Sequence, residues 1–158
     1  MAKILIVCFS RSGNTRKMAE YVRQGAEEAG AMAELKDVRD TAAEDLLEAD
    51  GIIMGSPTYY GQMSAKLKTI VDESVKIHGK LEGKIGAAFT SSGGTASGAE
   101  TTLLSIVQAL LVHGMIVQGR SDDKHYGAAA VGAPKEEEIE SCKRLGKKVA
   151  TLALKLKA

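Results

Sequence analysis

The first fifteen residues constrain the fold more than any other stretch of the chain. Residues 3–9 form an almost continuous apolar run of strand length, which is typical of a strand buried on both faces of a parallel sheet. The run stops in a polar loop, residues 10–15, and a helix-patterned segment follows at once. A junction of this kind presents free backbone N–H groups at the positive end of a helix dipole. The stretch therefore predicts an anion site, and a phosphate is the anion that such sites commonly hold.

The composition of this loop narrows the choice of phosphate. It contains a single glycine, Gly13, so it matches neither the G-x-G-x-x-G loop of dinucleotide folds nor the G-K-[ST] loop of P-loop proteins. Ser10, Ser12, Asn14 and Thr15 offer hydroxyl and amide groups, which suit a terminal monophosphate better than a bridging pyrophosphate. An ordinary capped helix start is the alternative, because Ser, Asn and Thr are common helix caps.

The alternation of strand and helix continues along the whole chain. Strand patterns are predicted at residues 3–9, 33–38, 51–55, 84–90 and 115–118, the last resumed at 126–131. Helical patterns are predicted at residues 15–29, 43–49, 64–78 and 99–113, with a final helix opened by Pro134 in its first turn. Right-handed crossovers between such units give a three-layer α/β fold. We expect one domain, residues 1–158, with a doubly wound five-stranded parallel sheet of order 2-1-3-4-5.

Three polar loops follow strands that this order places side by side. They are residues 10–15, 56–63 and 90–98, and ligands of doubly wound sheets bind where such strand ends meet. Tyr59 and Tyr60 offer aromatic faces on which a planar cofactor ring could stack, although one could pack inward and the other be a solvated loop residue. Glycines of the third loop, 93, 94 and 98, would let backbone approach a ring edge, or would simply add flexibility.

Composition excludes several classes of protein. The chain has 21 basic and 20 acidic residues and a net charge of +1, so nucleic acid is not an expected partner. No apolar run approaches the roughly 20 residues of a membrane span. Its two cysteines, Cys8 and Cys142, together with a strand pattern that starts at once, indicate a reducing, cytoplasmic compartment. The three histidines are isolated and no C-x-x-C occurs, so no metal site is expected.

Two other protein classes share this strand order. A phosphorylated receiver domain needs acidic residues after its first strand, where this chain has Phe9 and Ser10. A low-molecular-weight phosphatase needs a nucleophilic cysteine at the end of the first strand and an arginine six residues later. Cys8 matches the first position, but Asn14 occupies the second. Neither class is therefore favoured.

The polar loops, taken with two later motifs, resemble the flavodoxin superfamily. Within it, residues 55–64 (GSPTYYGQMS), 89–93 (FTSSG), 113–115 (HGM) and 126–128 (YGA) are similar to the tryptophan-repressor-binding-protein branch. That branch contains FMN-dependent NAD(P)H:quinone oxidoreductases. The resemblance implies a flavodoxin-like fold with FMN as cofactor. The FMN-binding residues that it implies are Ser10, Arg11, Ser12, Gly13, Asn14, Thr15, Pro57, Thr58, Tyr59, Tyr60, Gly61, Ser91, Ser92, Gly93, Gly94, Thr95, Ala96 and His113.

The resemblance assigns these residues to parts of FMN. The first loop would hold the phosphate, residues 57–61 the isoalloxazine ring, and residues 91–96 its pyrimidine edge and the ribityl chain. His113 would lie near the flavin, whereas the residues alone predict a helix cap there. Tyr60, Gly61 and His113 are the candidates for a catalytic role near the flavin. The peptide between Tyr60 and Gly61 would lie near flavin N5, and we hypothesise that it rotates during one-electron steps because glycine tolerates both orientations.

Two functions follow from this resemblance. The first is a flavodoxin-type carrier that passes electrons through FMN to redox partner proteins. The alternative is an NAD(P)H:quinone oxidoreductase acting on small quinones. The chain is compact at residues 38–50 and 119–125 and has no tryptophan, whereas the branch carries insertions there that help to form its substrate site and its tetramer. The sequence leaves open whether the chain forms a homo-oligomer.

Overall fold

A computed structural model describes all residues, 1–158. Its sheet is parallel throughout, and each predicted strand is present. The strands are β1 (Lys3–Cys8), β2 (Met32–Asp37), β3 (Gly51–Pro57), β4 (Ile85–Ser92), β5 (Ile116–Val117) and β6 (Ala128–Val131). The α-helices are α1 (Asn14–Glu28), α2 (Ala65–Glu73), α3 (Ala99–Val112) and α4 (Glu136–Lys157). Short 3₁₀ helices lie at Val38–Asp40, Ala43–Glu48 and Ser74–Ile77.

The sheet order is β2-β1-β3-β4-β5, with β6 also paired to β4, which confirms the predicted order 2-1-3-4-5. The fifth position is divided between two strands. β5 pairs with the start of β4, where Ile85 lies opposite Ile116, and β6 pairs with its end, where Phe89 lies opposite Ala128. Residues 118–127 leave the sheet between them, so the interrupted strand pattern predicted from the sequence is confirmed.

Two hydrophobic cores lie on opposite faces of the sheet. Alternate residues of β1 point to opposite sides, so Ile4 and Ile6 pack in the core beneath α1 and α4, while Leu5 and Val7 pack in the core beneath α2 and α3. Burial on both faces explains why β1 is apolar at successive positions. By contrast, β2 lies at the edge of the sheet and is largely half-buried or exposed, as its charged sequence predicts.

Helices α1 and α4 approach each other closely because glycines lie between them. A Cβ placed on Gly146 would lie 1.9 Å from the carbonyl oxygen of Val22, and one on Gly25 would lie 2.0 Å from that of Lys143. Neither space can hold a methyl group. The contact fixes α1, and therefore the loop that precedes it, against the C-terminal helix.

Helix ends differ from the prediction in two places. The final helix begins at Glu136 with Lys135 as its N-cap, so Pro134 lies just outside it rather than in its first turn. The backbone N–H of Lys135 donates to Glu138 Oε2 at 3.0 Å, and this bond sets the helix start. The predicted helix 64–78 is α-helical only to Glu73 and then tightens into a 3₁₀ turn. No helix combines the length and the apolar character needed to cross a bilayer.

Candidate functional site

The loop between β1 and α1 is folded around the side chain of Ser10. Its Oγ accepts hydrogen bonds from the backbone N–H groups of Gly13, at 3.1 Å, and Arg16, at 3.2 Å. Gly13 precedes the helix with φ of 101°, a conformation that favours glycine. The backbone N–H groups of Ser12, Asn14 and Thr15 have no acceptor within the protein. They lie at the positive end of α1, an arrangement that suits a bound anion.

The second loop is held by hydrogen bonds at both of its ends. The N–H of Thr58 donates to the carbonyl oxygen of Ser91 at 2.7 Å, and the N–H of Ser64 donates to Ser56 Oγ at 2.8 Å. Between them, Tyr59 and Gln62 exchange two backbone hydrogen bonds of 3.0 Å, which close a tight hairpin. Tyr60 occupies its tip and is fully exposed, whereas Tyr59 is only about one third exposed.

The third loop follows β4 and is tied to the other two loops by two pairs of hydroxyl groups. Thr15 Oγ1 and Ser91 Oγ are 2.7 Å apart. Thr58 Oγ1 and Thr90 Oγ1 are 2.9 Å apart. Further along, Ser92 Oγ donates to the carbonyl oxygen of Gly94 at 3.0 Å. Hydroxyl pairs therefore join the start of α1 and the loop after β3 to the end of β4.

The three loops enclose a cavity of about 470 Å³ at the carboxyl edge of the sheet. This volume lies within the range of small-molecule sites, which is roughly 300–1,000 Å³. Its only charged lining residue is Arg11. The lining residues are Arg11, Ser12, Asn14, Thr15, Pro57, Thr58, Tyr59, Ser91, Ser92, Gly93 and Gly132.

Gly132 is the lining residue that the sequence did not predict. It follows β6, and its N–H donates to the carbonyl oxygen of Ser92 at 2.8 Å. The same rule that selected the other loops could have found it, because Gly132 is where the resumed fifth strand ends. The fifth strand end therefore contributes to the cavity alongside the first, third and fourth.

Several predicted residues lie beside the cavity without lining it. Ser10 and Gly13 shape the first loop, as described above. Five more belong to the hairpin tip, Tyr60 and Gly61, or to the later part of the third loop, Gly94, Thr95 and Ala96. A ligand larger than the cavity would meet these two segments at its rim.

His113 is not brought to the cavity. It caps the C-terminal end of α3, whose first residue adjoins the third loop, and at about 1.5 Å per residue the helix carries it roughly 20 Å away. Its Nε2 lies 2.7 Å from Ser74 Oγ. Because Ser74 Oγ donates its own proton to the carbonyl oxygen of Val71, it accepts one from Nε2. His113 therefore does not line this cavity, and the capping interpretation agrees with the structure, while its place near the flavin stays a prediction.

Cys8 cannot act as the nucleophile of a phosphatase. Its side chain is buried in the core beneath α1 and α4, and burial raises the pKa of its thiol to about 12. The thiolate is the nucleophilic form, so this side chain is chemically inert near neutral pH.

A larger cleft, about 690 Å³, lies between residues 120–124 and the start of α4. No hydrophobic residue lines it. The largely buried guanidinium of Arg120 is bound to Asp122 at 3.1 Å and to Asp123 at 2.7 Å, and it donates to Ser141 Oγ at 2.9 Å. These groups satisfy the guanidinium, and the cleft presents no hydrophobic residue to a ligand.

The cavity beneath the three loops fits FMN in two respects. The free N–H groups of the first loop, with the unpaired hydroxyl of Ser12 beside them, suit a doubly charged monophosphate. Tyr59 and Pro57 on the second loop supply the flat apolar surface that a flavin ring needs. On the third loop, no atom lies within 4 Å of the position that a Cβ of Gly93 would occupy, so this side of the cavity has room for part of a ligand.

Comparison with known proteins agrees with this assignment. The sequence profile of the family described as NADPH-dependent FMN reductase matches residues 2–122. A flavodoxin of Aquifex aeolicus is 42% identical over 159 residues, which cover 95% of this chain and 86% of that one. An NAD(P)H dehydrogenase (quinone) of Archaeoglobus fulgidus is 38% identical over an alignment of 190 residues, which covers 99% of this chain and 100% of that one.

Solved structures show the same architecture. A WrbA-like flavodoxin from Agrobacterium tumefaciens superposes with a TM-score of 0.83 at 29% identity, covering 98% of this chain and 99% of that one. A flavodoxin from the domain Archaea gives 0.79 at 29% identity, covering 96% and 99%. The profile, these relatives and the cavity beneath the three loops agree: the chain belongs to the NADPH-dependent FMN reductase family and is a flavodoxin-type protein with FMN as its cofactor.

Proposed function

We propose that this protein carries electrons on FMN and delivers them to partner proteins that dock at the rim of the cavity. The cavity formed by the three loops is the observation that supports this function. It combines a loop suited to a phosphate with an aromatic side chain, Tyr59, at one open edge of the sheet. FMN, when bound there, supplies the redox chemistry. The first loop would hold the phosphate, and Tyr59 and Pro57 would orient the ring.

The rim itself supports docking by a partner. The side chain of Tyr60 is fully exposed at the tip of the hairpin and forms no hydrogen bond. Exposed aromatic side chains are common in protein interfaces. The name of the Aquifex aeolicus relative, a flavodoxin, also supports a carrier.

The second candidate is an NAD(P)H:quinone oxidoreductase. The charge of the cavity supports it, since Arg11 is the only charged lining residue, and no carboxylate opposes the negative charge that the ring gains on full reduction. The name of the Archaeoglobus fulgidus relative points the same way. That alignment is longer than this chain, however, so the relative carries insertions that this chain lacks.

Reconstitution with FMN separates these functions. We expect the purified protein to bind FMN and to show a flavin spectrum, and a colourless protein that takes up no added FMN would refute both. Next, NADH oxidation is followed with and without a benzoquinone. Turnover that depends on the quinone identifies the oxidoreductase. Chemically reduced protein that passes electrons to a haem protein, without such turnover, identifies the carrier.

The compartment belongs to the same proposal. Both cysteines are buried and free, and nothing in the fold depends on a disulfide. This supports a reducing compartment, which for such a carrier is the cytoplasm.

A further inference from the structure

The hairpin tip has a backbone geometry that is unusual for the residue it contains. The N–H of Tyr59 donates to the carbonyl oxygen of Gln62, and the N–H of Gln62 donates to that of Tyr59, both at 3.0 Å. The two residues between them have positive φ, 51° for Tyr60 and 73° for Gly61. A two-residue hairpin with both φ values positive is a type I′ turn. A bulky residue rarely adopts such a φ.

Rotation of the central peptide would require a second turn type. Turning the peptide between Tyr60 and Gly61 by half a revolution changes ψ of Tyr60 and φ of Gly61. Gly61 accepts either sign of φ. Tyr60 would keep its positive φ and enter the first position of a type II′ turn, which is reserved for glycine because a Cβ clashes there.

The surroundings of the turn restrict it further. Gly98 lies so close that a Cβ on it would be 2.7 Å from Gly61 Cα, and a Cβ on Gly61 would be 2.9 Å from Thr101 Oγ1. Just after the turn, the N–H of Met63 donates to Ser105 Oγ at 3.2 Å. The hairpin is therefore packed against the start of α3 and cannot swing away as a unit.

We propose that Tyr60 is a positioning residue that holds the peptide between Tyr60 and Gly61 in one orientation in every redox state of the bound flavin. The inference rests on the proposed binding of FMN against this loop. It reverses the hypothesis drawn from the sequence, which considered the freedom of Gly61 but not the restriction on Tyr60. A side chain that a partner protein meets at the rim then stays in place as electrons arrive and leave.

The proposal has a measurable electrochemical consequence. A peptide that rotates can bind one redox state better than another, and only such differential binding shifts an equilibrium. A fixed peptide presents the same group to every state, so it cannot exchange an N–H for a carbonyl oxygen when the protonation of the ring changes. The hairpin therefore lacks the additional separation between the two one-electron reduction potentials of bound FMN that a rotating peptide would give.

Two substitutions at residue 60 isolate the effect of the backbone. Tyr60→Gly removes the Cβ and permits the type II′ turn. Tyr60→Ala removes the aromatic ring but keeps the Cβ, so it is the matched control for loss of the ring. We expect the separation of the two potentials in Tyr60→Ala to equal that of the unmodified protein, and the separation in Tyr60→Gly to be wider.

Nuclear magnetic resonance gives a second readout that does not depend on activity. Backbone couplings and chemical shifts report φ of Gly61 in the oxidised and fully reduced FMN-bound protein, and we expect it to be positive in both. A negative φ in the reduced protein would overturn the proposal, as would equal separations of the potentials in all three proteins or equal widening in both variants. Failure to bind FMN would instead refute the proposed function, so the two failures are distinguishable.

Discussion

The hydroxyl groups of Thr15 and Ser91 are 2.7 Å apart although 76 positions separate them in the sequence. Thr15 belongs to the first turn of α1, and Ser91 lies near the end of β4. Both residues are buried, and both line the cavity. The start of α1, which follows the first loop, is therefore joined to the start of the third loop by a direct hydrogen bond beside the cavity.

Breaking this pair should destabilise the protein. In Ser91→Ala, the buried hydroxyl of Thr15 loses its partner, and an unsatisfied buried polar group costs about 1–3 kcal/mol. We expect the free energy of unfolding, measured in urea without FMN, to fall by that amount. The double variant Thr15→Val/Ser91→Ala should lose less than the two single losses added together. Strict additivity would show that the two hydroxyls do not interact.

Ser12 should discriminate FMN from riboflavin. Its side chain lines the cavity beside the free N–H groups of the first loop, so its hydroxyl can donate to a phosphate. Loss of one such charge-assisted bond in Ser12→Ala should weaken FMN binding by about tenfold. Fluorescence titration should show unchanged riboflavin binding. Ser121→Ala, an exposed serine remote from the cavity, is the control, and a loss of affinity for both flavins in Ser12→Ala would contradict the phosphate assignment.

Gly146 should tolerate no side chain. A Cβ there would lie 1.9 Å from the backbone oxygen of Val22, and α1 and α4 would have to separate. We expect Gly146→Ala to lower the free energy of unfolding by about 3 kcal/mol. Gly93→Ala places the same methyl group where no atom lies within 4 Å, and its stability without FMN should change by less than about 0.5 kcal/mol. Equal losses in the two variants would exclude helix crowding as the cause.

His113 should make stability depend on pH in the mildly acidic range. Burial, with a smaller effect of the nearby His78, lowers the pKa of His113 below its usual 6.5. Its Nδ1 is buried without a partner, so a proton there gains no acceptor. The unfolded chain takes up the proton first, and stability is complete above pH 6.5 and lost as the pH falls through that value toward the folded pKa.

Urea unfolding at pH 7.5 and pH 5.5 tests this expectation. The unmodified protein should lose more stability between these values than His113→Gln, whose side chain does not titrate. The acidic residues whose pKa is lowered, such as Asp37, titrate below their usual 3.8 and do not contribute in this range. An identical loss in both proteins would assign the pH dependence to other groups.

The thiols of Cys8 and Cys142 should be unreactive in the folded protein. Burial raises the pKa of each to about 12, so the thiolate is scarce at pH 8. A chromogenic disulfide reagent should modify both cysteines in 8 M urea and neither in buffer over the same period. Rapid modification of Cys8 in the folded state would mean that the end of β1 opens to solvent.

The local pattern of apolar and polar residues predicts this fold well because the pattern of each strand agrees with its position in the sheet. The uninterrupted apolar residues of β1 and the glycine-bounded residues of β3 allow only buried parallel strands, and polar loops mark the ends of both. The loop contacts were less accessible to prediction. Gly132 was missed because the loops were selected for their polar residues, and the segment that follows the fifth strand contains no serine or threonine before the final helix.

His113 shows what motif matching leaves out. The predicted helix 99–113 starts at the third loop, and a helix advances about 1.5 Å per residue. Its last residue must therefore lie far from its first, which the sequence already implied. The motif match singled out His113 but gave no information about its distance from the cavity. Tyr60 shows the converse, since a positive φ at a tyrosine arises from the hairpin hydrogen bonds and not from the preference of that residue.

Because the fifth strand is divided, the position of Gly132 at the cavity does not depend on the number of residues in the segment 118–127. β6 takes its register from β4, with Ala128 opposite Phe89 and Val131 opposite Ser92, and it takes nothing from β5. Residues could therefore be added to or removed from the segment 118–127 while Gly132 stays where it is. Insertions in this segment can therefore change the surface beside the cavity, and with it the partner that the surface contacts, while the residues that bind the cofactor keep their positions.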